Sequence, residues 1–255
     1  MSQPLWERFP SVVEKVRRDH RKYGALVGTG HDFAHALMVA QYCLLIAEGP
    51  LATLAWLAAI CHNTDRMFDE SLINRCWRWL CKLPLAGGLF RKADPAFQQW
   101  NRRQIERRVA YYLEDVELFF ADKCTIIEAV LNHSRRPSDE DNEVTRILMD
   151  ADKLANIGAL LGLRSAQFQP NLPVIDLRYL DQRPPGTSFR SPGSIYWDIK
   201  SSLEWSEPGW IRTTRAQELA KPLFEELQAL LDGLVRQFKD TGLLPYPFPE
   251  DFQGK

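Results

Sequence analysis

Residues 31–65 read HDFAHALMVAQYCLLIAEGPLATLAWLAAICHNTD. In the first half, Leu37, Ala40, Leu44, Leu45 and Ala47 follow His35 close to the i, i+3, i+4, i+7 spacing of an amphipathic helix, and Gly49 with Pro50 is expected to end it. The next run, residues 51–61, is apolar nearly all round its surface, which predicts a central helix buried on every side. His62 stands at its C-terminal end. A neutral imidazole is a good ligand for a divalent ion, and one placed where a buried helix emerges is held by its neighbours while a coordination position stays open. A later helix brings Asp150-Ala151-Asp152. These elements predict a metal site inside a helical bundle.

Outward from that stretch the pattern stays helical. Residues 4–24 predict one amphipathic helix, with Leu5, Phe9, Val12, Val13 and Val16 on one side and Glu14, Arg17, Arg18 and Arg21 on the other. Gly28 and Gly30 flank Thr29 ahead of His31, with Thr29 or Asp32 as the expected N-cap of the His35 helix. His31 lies four residues before His35 and is assigned to the substrate side of the site. Further helices are expected over residues 97–120, over 123–131, and through EVTRILMDADKLANIGALLGLR from residue 143 onward. On that last helix Asp150 and Asp152 point about 200° apart, so only one of them can face the site. The fold class is all-α.

Composition narrows the function classes. The 255 residues carry 32 Lys and Arg against 33 Asp and Glu, for a net charge of −1. That balance gives no general attraction to nucleic acid or anionic membranes. Five cysteines without regular spacing argue against a disulfide framework, and Cys43 and Cys61 fall inside apolar helices. The first ten residues lack the charged and apolar regions of a secretion signal, and no apolar run reaches the ~18 residues of a membrane span. The expectation is a cytoplasmic single domain, with its oligomeric state left open.

His35, the His62-Asn63 pair and Ala151-Asp152-Lys153-Leu154 stand in the order of the His, His-Asp, Asp signature of the HD superfamily of metal-dependent phosphohydrolases, which the chain resembles. The wording is similar to a bacterial branch, the YedJ/YpgQ-like HD proteins. Its segments appear here as His31-Asp32-Phe33-Ala34-His35, Ile60-Cys61-His62-Asn63, His133-Ser134 and Asp150-Ala151-Asp152-Lys153-Leu154-Ala155-Asn156-Ile157-Gly158-Ala159. The resemblance covers about residues 25–165 and, more weakly, the last helix. It implies an all-α HD bundle in which His35, His62 and Asp152 hold one divalent ion (Mn, Mg, Co, Ni, Fe or Zn) with Asn63 as a weak fourth ligand. It further implies hydrolysis of a small phosphorylated molecule, with a nucleotide as the suggested class. His133 and Lys153 are then the candidate groups for proton transfer and charge neutralisation.

Two positions depart from the branch pattern. Asn63 replaces the motif Asp, and Met38 stands where the branch often has Arg. A neutral amide is a weaker ligand than a carboxylate and suits no bridge between two metals, so an ion on two imidazoles and one carboxylate keeps a net charge of about +1. Binding weakens while Lewis acidity rises. Asp65 is a candidate to supply the missing carboxylate. The alternative is a catalytically impaired HD-fold protein that binds a phosphorylated ligand or a protein partner.

The remaining segments are less decisive. RCWRWLCKLPLAGGLFRK from residue 75 has the composition of an amphipathic surface segment, open to roles as a packed helix, a lid, a protein contact or a weak membrane contact. Gly87 and Gly88 are expected to mark a turn. Arg103 and Arg107 share a helix face and, with Arg66, are candidate phosphate contacts. Residues 166–212, broken by Pro170, Pro173, Pro184, Pro185, Pro192 and Pro208, predict an irregular cap or lid with one short helix near 194–205, and Arg183 and Arg190 as weaker substrate contacts. A last helix over about 213–240 is expected to pack Leu219, Leu223, Leu227, Leu230 and Leu234 onto the bundle, ahead of an extended proline-rich tail.

Overall fold

The helix that was expected to be buried on every side is the centre of the molecule. In the computed structural model, which describes residues 3–27, 33–69, 72–83, 87–188 and 191–244, helix α4 (Gly49–Cys61) buries Ala52, Ala55, Trp56, Leu57, Ala58, Ala59, Ile60 and Cys61. Full burial of an aliphatic side chain such as Leu57 or Ile60 contributes about 1.5–3 kcal/mol. Gly49 and Pro50 open this helix rather than end the one before it. Gly49 takes a φ of 62° that suits glycine, and a proline in the first turn removes only an N–H that has no intrahelical acceptor.

Helices α3 (Phe33–Ile46), α8 (Phe120–Asn132) and α9 (Glu143–Leu154) surround α4. The expected N-terminal helix is two, α1 (Leu5–Arg8) and α2 (Pro10–Val27). Pro10 is the reason: its ring disfavours a helical residue before it, and Phe9 sits at φ −122° and ψ 53°. Helix α5 (Thr64–Asp69) follows α4 at once.

Helix α6 (Leu72–Leu80) precedes α7, which spans Gly87–Tyr112 in place of the expected 97–120. Gly87 and Gly88 lie in its first turn, and Pro95 is carried inside the helix. The end of α7 at Tyr112 is tied to α2. Arg108 and the Tyr112 hydroxyl both bond Asp19 at 2.5 Å, while Lys15 pairs with Glu114 and Asp115 at 2.7 Å.

The chain divides into two compact units, one of Met1–Ala155 with Arg212–Ala216, the other of Asn156–Ile211 with Gln217–Lys255. The second has its own apolar cluster, with Leu161 from α10 (Ala159–Phe168), Tyr196, Trp197 and Ile199 from α11 (Ile195–Ser201), and Leu227 and Leu231 from α12 (Thr214–Asp240). The short helix expected near 194–205 is α11, capped by the Ser194 hydroxyl accepting from the Trp197 N–H, and it continues as a 3-10 turn over Ser202–Ser206. Gly158, at φ +84°, opens α10, and a Cβ there would lie 3.2 Å from Leu223. Of the leucines expected on the packed face of α12, Leu230 is 36 % exposed and Leu231 takes a buried place instead. The protein is all-α: among the described residues the only extended pairing is an isolated bridge between Ser188 and Ser191. No described helix is long and apolar enough to cross a membrane.

Candidate metal centre

Two histidines stand at helix C-terminal ends, where backbone carbonyls lack intrahelical donors. His62 is the C-cap of α4, and its Nδ1 lies 2.6 Å from the Ala59 carbonyl. His133 is the C-cap of α8, with Nδ1 2.7 Å from the Val130 carbonyl. A carbonyl only accepts, so in both rings Nδ1–H donates and the neutral imidazole keeps its lone pair on Nε2. Each ring is thereby set with its ligand-capable nitrogen pointing away from its own helix.

What each nitrogen meets differs. His62 Nε2 is buried, has no hydrogen-bond partner among the described residues, and lies 3.8 Å from Asp152 Oδ1. His35, from α3, places Nε2 3.1 Å from the same oxygen. His35 and His62 pack edge to face with centroids 5.2 Å apart, and His62 and His133 pack edge to face at the same 5.2 Å. One ligand atom each from His35, His62 and Asp152 lies within 4.8 Å of the others, the first two residues buried and the third half-buried. Ligands at about 2.1 Å from a shared ion stand roughly 3–4 Å from one another. The donor set, two imidazoles and a carboxylate, therefore fits one divalent ion.

Electrostatics favour the same use. Burial drives the pKa of His62 well below the ordinary imidazole value, and the neighbouring imidazoles add to this against the pull of Asp152. Burial opposes the charge on Asp152, but the hydrogen bond from His35 and the three surrounding imidazoles outweigh it and hold the carboxyl well below the usual range. Because a carboxylate only accepts, His35 Nε2 carries the proton in this geometry, and coordination by that nitrogen would require its release.

The other candidate residues have separate places. Asp65, in the first turn of α5, has Oδ2 3.8 Å from His133 Nε2 and accepts from the Arg66 N–H at 2.7 Å. It adjoins His133 rather than the three-residue cluster. Asn63 is buried next to His62. Lys153 turns its ammonium back to the Met149 carbonyl at 3.1 Å, and burial lowers its pKa against the attraction of Asp150 and Asp152. Arg66 is half-buried on α5. Arg103 and Arg107 are exposed on α7, each about 200° round the helix from buried Ile105, and the structure does not gather them at the histidines. Arg183, in the second unit, bonds Ser201 and Glu204. His31, with Thr29 and Asp32, lies outside the described residues, as do Arg190 and the tail beyond 244.

Asp150 faces the opposite way from Asp152. Its buried carboxylate accepts from the N–H groups of Arg212 and Thr213 at 2.8–3.2 Å, next to the start of α12. The Arg212 guanidinium lies 2.9 Å from Asp141, which also takes Arg135. Asn142 caps α9 by accepting from the Thr145 N–H at 2.8 Å. Asn142 directly before EVTRIL was a legible N-cap signal, whereas nothing near Arg212 announces its pairing with a loop 70 positions earlier.

No family model matches the chain, and no curated protein sequence matches it. Solved structures do. An HD-superfamily hydrolase from Bacillus thuringiensis is 15% identical, covers 92% of this chain and 98% of its own, and superposes with a TM-score of 0.58. The chain shares the fold of that structure. A Lactobacillus plantarum protein superposes with a TM-score of 0.62 at 14% identity and the same coverage of both chains.

Proposed function

We propose that the chain is a metal-dependent phosphohydrolase of the HD type, of the YedJ/YpgQ-like branch, acting on a nucleotide or another small phosphate ester or anhydride. The observation that carries this reading is His62: a buried imidazole whose Nδ1–H is tied to a carbonyl and whose Nε2 lone pair points at Asp152 beside His35. His35, His62 and Asp152 would hold one divalent ion. Bound there, the ion supplies Lewis acidity toward a phosphoryl oxygen and lowers the pKa of water.

The chain's own groups do the rest. His133 presents Nε2 beside His62; because Nδ1 is already used, the neutral ring accepts a proton at Nε2, and only its imidazolium donates to a leaving oxygen. Asp65 Oδ2 lies 3.8 Å from that nitrogen. Lys153 adds positive charge one residue from Asp152, and Arg66 follows Asp65 directly on α5.

A second reading rests on Asn63. A buried amide where the motif has a carboxylate leaves the site one charge short, which suits a protein that binds a phosphorylated ligand or a partner without turnover. A panel of nucleotides and phosphomonoesters with added manganese, magnesium or cobalt separates the two. Metal-dependent phosphate release that is lost in His62→Ala supports the hydrolase. A silent parent in which Asn63→Asp creates turnover identifies a binding protein with an impaired site, and silence in both contradicts the assignment.

A further inference from the structure

Residues 72–93, LINRCWRWLCKLPLAGGLFRKA, hold five cations and no acid, while the rest of the chain carries 27 Lys and Arg against 33 Asp and Glu. A near-neutral total therefore hides a basic segment. Within it α6 is fastened by one face. Trp77 stacks on Phe97 with centroids 4.2 Å apart and planes 8° from parallel, and its indole N–H donates to Asp94 at 2.7 Å. Asn74 is buried and bonds Asn101 at 3.1 Å. Both partners lie on α7.

The opposite face is bare and apolar. Ile73, Cys76 and Trp79 recur every third residue and so keep within about 120° of helix surface. Ile73 is 56 % exposed and Trp79 is 62 % exposed, with Cys76 exposed between them. Arg78 and Lys82, both exposed, border the groove between α6 and α7 with Trp77, Asp94 and Gln98, where their stems can lie along apolar surface while their charges reach outward.

We infer that α6 is a peripheral contact for an anionic lipid surface, with Ile73 and Trp79 entering the boundary between headgroups and acyl chains and Arg78 and Lys82 meeting lipid phosphates. An indole at the edge of an apolar stripe suits that boundary, where one side of the ring is apolar and the other wet. The bare face of nine residues, about 14 Å long, is small against the roughly 800 Å² per partner of a stable protein interface. A bilayer sets no such minimum. The inference is independent of the metal centre.

Sedimentation of the full chain with vesicles tests it, using phosphatidylcholine alone and an equimolar mixture with phosphatidylglycerol. The parent is expected to sediment with the mixed vesicles only, and less so as salt is raised. Trp79→Ser lowers partitioning about tenfold, and Arg78→Gln and Lys82→Gln lower it about fivefold each. Phe119→Ser, at a position 84 % exposed on another part of the first unit, leaves it unchanged. The inference is overturned if the parent stays in the supernatant with mixed vesicles, or if Phe119→Ser weakens binding as much as Trp79→Ser. It is equally overturned if light scattering shows a dimer that Trp79→Ser converts to monomer, which would make the bare face a protein interface.

Discussion

The C-terminal ends of α4 and α8 are built alike and surrounded differently. Each finishes in a histidine whose Nδ1–H is taken by a carbonyl three residues back, so each presents Nε2 in the same tautomer. At His62 that nitrogen faces Asp152 and His35; at His133 it faces Asp65, at 3.8 Å. The local rule makes a ligand-capable nitrogen, and the neighbouring helices decide whether it joins a ligand set. A motif histidine is thus half specified by its own helix and half by α3 and α9.

The largest effect that can break this comparison is on metal affinity. His62→Ala is expected to weaken binding of manganese or another divalent ion by more than about 100-fold, and His133→Ala by less than about tenfold, in calorimetric titrations. Equal losses would make the two helix ends equivalent and refute the distinction. Asn63→Asp restores a carboxylate beside His62 and is expected to tighten the ion about tenfold or more, since a site of net charge +1 moves toward zero. An unchanged affinity would show that position 63 does not reach the ion.

Stability sharpens the contrast between the two aspartates of α9. Asp150→Ala leaves the backbone donors of Arg212 and Thr213 without their acceptor and is expected to cost about 3 kcal/mol in urea unfolding. A cost below about 1 kcal/mol would mean that water replaces the carboxylate. A smaller effect concerns pH. The folded pKa of His62 lies below the unfolded value of about 6.5, so the unfolded chain takes up the proton first as pH falls. The contribution is present above about pH 6.5 and is lost as pH drops through the folded value, with a slope of at most about 1.4 kcal/mol per pH unit. Metal-free His62→Gln should flatten that part of the stability profile; an unaltered profile contradicts the assignment.

The fold was legible where one residue pattern dominated. The all-apolar run of α4 announced a central helix, and the 200° between Asp150 and Asp152 required them to face different neighbours, as they do. Local backbone chemistry explains the errors. Pro10 split a continuous amphipathic pattern at Phe9, and Gly49-Pro50 served as a helix start. Pro95 and the paired glycines concealed the first turns of α7, whose last turn is tied to Asp19 in a distant helix. Of the candidate site, His35, His62 and Asp152 were readable from order and type. The geometry of His133 with Asp65 was not, because it depends on how α5 and α8 meet. Arg103 and Arg107 show the limit of face arguments: their shared face was correct, and it is the one turned to solvent.

The measurement that tests the account most directly is elemental analysis of the purified, untagged protein beside His62→Ala and His133→Ala, before and after incubation with excess manganese. The account predicts close to one ion per chain in the parent and in His133→Ala, and none in His62→Ala. No ion in the parent even after loading, or an ion retained in His62→Ala, would contradict it.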